Sequence, residues 1–147
     1  MFKGLTFAAI ILLLVSPLAN AAKDEIYSAT FSGAINGYDP VAYFTQGKPV
    51  KGKSAHKLEY KGASWRFSSE KNRLAFKQNP KKYTPQYGGY CAYAVSQGYT
   101  ASTDPDAWSI ENGKLYLNYS KSVRSKWNKD RPGYIRKANA NWPRVLK

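Results

Sequence analysis

A chain of 147 residues with a formal net charge of +14, one cysteine and one histidine has room for a single domain of ordinary size. The lone cysteine excludes an intrachain disulfide, and one cysteine with one histidine excludes a closed Cys/His zinc site within the chain. The excess of 23 Lys and Arg over 9 Asp and Glu implies attraction to anionic surfaces.

The chain opens with Lys3, an apolar run from Leu5 to Val15, then Ser16-Pro17 and the small-residue site Ala19-Asn20-Ala21. That order is what a signal peptidase reads, and the run falls short of the roughly 20 apolar residues a spanning helix needs. Residues 1–21 are therefore expected to be a cleaved signal peptide, residues 22–35 an N-terminal extension and residues 36–147 the folded domain. The protein is expected to be periplasmic or secreted, with no membrane span after processing. There the anionic partners are envelope phospholipids, acidic glycans or acidic proteins rather than nucleic acid.

The stretch from Phe31 to Tyr38 is small and polar, with Gly33 and Gly37 as punctuation. Asp39-Pro40 then predicts a capped short helix through Phe44, stopped by Gly47. A hairpin follows if Lys61-Gly62 is its two-residue turn. Tyr60 then pairs with Ala63, Leu58 with Trp65 and His56 with Phe67, all on one apolar face. Ser68-Ser69 signals the start of a helix over Glu70 to Gln78, ended by Pro80.

The densest stretch runs from Tyr83 to Val95. Its paired glycines, Gly88 and Gly89, let the backbone bend or approach something closely, and a short buried helix ending near Gly98 is expected after them with Cys91 in its first turn. Asp104 and Asp106 flank a proline and read as turn residues. Asn112-Gly113 favours a type I′ turn that pairs Ile110 with Leu115 and Trp108 with Leu117. From Ser120 two helices are expected, broken by Arg131-Pro132-Gly133, with Val123, Trp127, Ile135, Ala138 and Trp142 as core contacts. The expected fold is α+β: two β-hairpins forming a small antiparallel sheet packed by short helices.

Several runs together resemble the exported, single-domain branch of the YHS-domain family. They are Gly37-Tyr38-Asp39-Pro40-Val41-Ala42-Tyr43-Phe44, His56, Trp65-Arg66-Phe67, Asn79-Pro80-Lys81-Lys82-Tyr83, Tyr87-Gly88-Gly89-Tyr90-Cys91-Ala92, and the later runs from Asp104 to Trp108 and from Gly113 to Tyr119. The resemblance extends over residues 36–147. It implies an association with heavy metals, although this chain lacks the literal Tyr-His-Ser string and any Cys-x-x-Cys.

Cys91 and His56 are the candidate metal ligands. Near a helix N-terminus Cys91 would have its thiol pKa lowered, and a thiolate is a soft-metal ligand. With an imidazole from His56 it would suffice for low-coordinate copper, Cu(I). The bland alternatives are a core histidine and an inert buried cysteine. Tyr87 and Tyr90 are candidates for lining a pocket for a planar or sugar ligand, against a plain role as core aromatics.

Three functions stay open. The first is a non-enzymatic extracytoplasmic module for a soft metal ion such as copper or a small ligand. The second is a basic-surface protein docking on anionic envelope components. The third is a cysteine-dependent enzyme, with Asn36, Asp39 or Gln86 as the group that orients His56, though no cysteine-protease signature surrounds Cys91.

Overall fold

The computed structural model describes residues 22–147, together with Gly4 and residues 10–13. The leader expected over residues 1–21 thus lies largely outside the described residues. Among the described residues six strands and six α-helices follow one another in chain order. They are β1 (Ser28–Ala29), β2 (Gly33–Ala34), α1 (Ala42–Thr45), β3 (Lys53–Tyr60), β4 (Ala63–Phe67), α2 (Glu70–Gln78), α3 (Pro80–Tyr83), α4 (Ala92–Ser96), β5 (Trp108–Glu111), β6 (Lys114–Leu117), α5 (Lys121–Asn128) and α6 (Arg131–Asn141).

The α+β expectation holds, but the hairpins do not merge into one sheet. Among the described residues β1–β2, β3–β4 and β5–β6 are three separate antiparallel pairs. They meet through side chains instead. Trp65 and Phe67 of β4 share one core with Leu115 and Leu117 of β6, and with Ile26, Ile35, Val41 and Tyr43 from the N-terminal third. Phe76 of α2 fills the centre, its ring 5.2 Å from those of both Trp65 and Phe67. Faces carrying large aromatics bury more apolar area by stacking than their short edges gain by pairing. A second core gathers Tyr87, Ala92, Val95, Tyr116, Trp127 and Ala138.

Local signals produced local structure. Ser69 accepts from the Asn72 amide and starts α2, Ser120 accepts from the Val123 amide and starts α5, and Asp130 does the same for α6 through Gly133. Arg131-Pro132-Gly133 is consequently the first turn of α6 rather than the break, since proline suits that position. Both two-residue turns have the positive φ pair of type I′, at Lys61-Gly62 and at Asn112-Gly113. The second hairpin has the expected register throughout.

The first hairpin keeps Tyr60 with Ala63 and Leu58 with Trp65, but Phe67 pairs with Lys53. His56 falls inside the bulge between Lys53 and Lys57. A bulge breaks the period-two alternation, so His56 is not opposite Phe67 as expected, and its side chain stays 28 % exposed.

Within residues 22–35 the short strands β1 and β2 pair as a hairpin, and Ile26, Ala34 and Ile35 are buried in the first core. The Tyr27 amide donates to the Gly88 carbonyl at 2.9 Å, and Gly88, at φ +62°, leaves no room for a Cβ against the Glu25 carbonyl. The close approach foreshadowed by the paired glycines is therefore to the protein's own N-terminal segment.

Candidate functional site

Asp39 is fully buried and works as a structural hub. Its Oδ1 accepts from the amides of Val41 at 2.9 Å and Ala42 at 3.3 Å. Its Oδ2 accepts from the Ser68 amide at 2.8 Å, the Ser68 hydroxyl at 2.7 Å and the Asn72 side-chain amide at 2.8 Å. One carboxylate thereby caps α1 and ties it to the start of α2, with both oxygens occupied. Asn36 is likewise engaged, accepting from the Tyr27 hydroxyl and donating to the Thr103 carbonyl. Gln86 lines a different cleft from the cysteine.

Cys91 occupies the N-cap of α4 and is 1 % exposed. Its Sγ accepts from the Tyr119 amide at 3.2 Å and the Ala94 amide at 3.5 Å, and it lies 3.5 Å from Asn118 Oδ1, to which the thiol can donate. Burial pushes the thiol pKa up, and the amides of Ala94, Tyr119 and Tyr93 offset this only in part. The expected lowering by a helix dipole is thus corrected: α4 has five residues, and desolvation of the thiolate outweighs so short a helix. Cys91 nonetheless forms part of the wall of an open cleft of about 320 Å³.

Asn118 went unnoticed as a candidate in the sequence. It is fully buried at the end of β6, and its Oδ1 accepts from the Tyr93 amide at 3.0 Å, adding a second cap to α4. With Oδ1 fixed there, its amide nitrogen has no partner among the described residues. The only sequence signal was an asparagine directly following the inward Leu115 and Leu117.

His56 stands elsewhere. Its Nδ1 is 3.4 Å from Glu70 Oε2, beside an Arg73 guanidinium that, as the main cause, holds the Glu70 carboxyl below its ordinary pKa. No hydrogen bond joins His56 to Cys91, and His56 is absent from the walls of the Cys91 cleft. Among the described residues no group of three or more His, Cys, Asp or Glu side chains is gathered to hold a metal ion.

Tyr87 and Tyr90 share an aromatic cluster with Trp142, at ring separations of 6.0 and 6.2 Å. Tyr87 is buried, donates to Asn139 Oδ1 at 2.9 Å, and has its phenol pKa raised by burial. It lines a polar cleft of about 270 Å³ with Lys61, Lys81 and Trp142. Tyr90 donates to the Asp24 carbonyl at 2.8 Å and borders neither this cleft nor that of Cys91.

Residues 41–87 match the YHS domain model, which includes His56 and ends at Tyr87, just before Tyr90 and Cys91. No curated protein and no solved structure matches the chain. Among the described residues no helix is long and apolar enough to cross a membrane.

Proposed function

We propose, for a chain that carries a YHS domain across residues 41–87, a non-enzymatic binding module working outside the cytoplasm and holding a soft metal ion, Cu(I), at Cys91. The observation that carries this reading is a sole thiol that lines an open cleft while two backbone amides point at its sulfur. Burial disfavours a bare thiolate because the charge loses its hydration. A thiolate bound to Cu(I) is a neutral unit, so the same burial does not oppose it. N–H donors to sulfur tune such ligands and hold them in place. The raised thiol pKa works against a nucleophile, since catalytic cysteines have their thiolate stabilised, and it means that Cu(I) must displace the thiol proton to bind.

Cys91 is then the anchoring donor, and a low-coordinate ion leaves its other position to a small donor entering from the cleft. His56, engaged with Glu70, is not needed. The extracytoplasmic part of the reading rests on the leader-like sequence of residues 1–21. Competition against a chromophoric Cu(I) chelator is expected to show one copper retained per chain, lost in Cys91→Ser and unchanged in His56→Ala. Equal retention in the parent and Cys91→Ser, or none in the parent, overturns the metal reading and favours docking of the basic surface on anionic envelope components.

A further inference from the structure

The cleft beside Cys91 has features that a metal ion does not use. Tyr99 and Tyr119 stand on its rim 52 % and 57 % exposed, leaving aromatic rings in water at a concavity. Tyr93 and Val123 extend the apolar wall. Among the described residues Lys126 is the one charged member of the lining, no carboxylate shares the cleft, and Lys126 belongs to none of the ion pairs.

We propose that this cleft binds a small planar organic anion, an aromatic carboxylate or sulfonate, with its ring against Tyr99 and Tyr119 and its acid group at Lys126. Each part follows from the lining. Exposed tyrosine rings at a cleft mouth gain by stacking on a flat apolar face. An unpaired ammonium beside an apolar wall selects negative charge, and the absence of acid from the wall leaves that selection uncancelled. A volume of about 320 Å³ is at the small end of ligand cavities, which limits the occupant to one or two rings.

The test uses metal-free mature protein, so its outcome is independent of copper binding. Naphthalene-2-sulfonate and its uncharged analogue naphthalene-2-sulfonamide, each with two fused rings, are titrated by fluorescence. A single site per chain is expected, tighter for the sulfonate. Lys126→Gln should weaken the sulfonate about threefold, as for a partly exposed ion pair, and leave the neutral probe unchanged. Tyr119→Ala should weaken both about fivefold through lost stacking. Both side chains are exposed and neither belongs to either core cluster, so the variants should fold, with circular dichroism as the check. Equal affinity for the two probes, parent-like sulfonate binding in Lys126→Gln, or binding indifferent to Tyr119→Ala overturns the proposal.

Discussion

Replacing Asp39 separates a structural carboxylate from a catalytic one. In Asp39→Ala the amides of Val41 and Ser68 and the side-chain amide of Asn72 lose their acceptor in or beside the core. A buried donor left unsatisfied costs about 1–3 kcal/mol. Water reaches the half-buried Ser68, so three such donors amount to about 3–5 kcal/mol. That is a large part of the roughly 5–15 kcal/mol that holds a domain together. In Asp39→Asn one oxygen can still serve Val41 and Ala42, but an NH₂ group then faces the donors of Ser68 and Asn72, and about 2–3 kcal/mol should be lost. Urea denaturation is the assay. With a slope near 2 kcal/mol per molar for a domain of this size, the Ala variant should shift the midpoint by about 2 M. A loss below about 1 kcal/mol in Asp39→Ala would refute the hub.

Two further predictions concern pH and processing. Burial raises the pKa of Cys91, Tyr87 and Tyr43, so the unfolded chain ionises first as pH climbs. These groups contribute fully below their unfolded values, and stability should fall progressively above about pH 9. Thermal melts from neutral to alkaline pH check this, and a melting temperature that is flat there contradicts it. Exported protein should begin at Ala22, and an intact mass that retains residues 1–21 would contradict the leader reading.

What was legible in the sequence was what is local. The caps at Ser69 and Ser120 and the turns at Lys61-Gly62 and Asn112-Gly113 act within three or four residues, a range over which side-chain chemistry alone decides the geometry. Asp39 was legible as a cap for α1 but not as the tie to Ser68 and Asn72, since those bonds cross 29 and 33 residues. His56 was misplaced because period-two reasoning assumes an unbroken ladder, and the bulge lies in a stretch with no glycine or proline inside it to announce it. Asn118 stayed hidden because its contact with Cys91 spans 27 residues. The pKa of Cys91 came out in the opposite direction because the sequence shows a helix start but not how deeply its cap is buried.

The most direct test of the metal reading is X-ray absorption at the copper edge on mature protein loaded with Cu(I). The only methionine is Met1, within the expected leader, so any protein sulfur bound to copper belongs to Cys91. The account predicts a sulfur neighbour to copper in the parent, kept in His56→Ala and absent in Cys91→Ser. A copper shell of nitrogen and oxygen alone in the parent would contradict it.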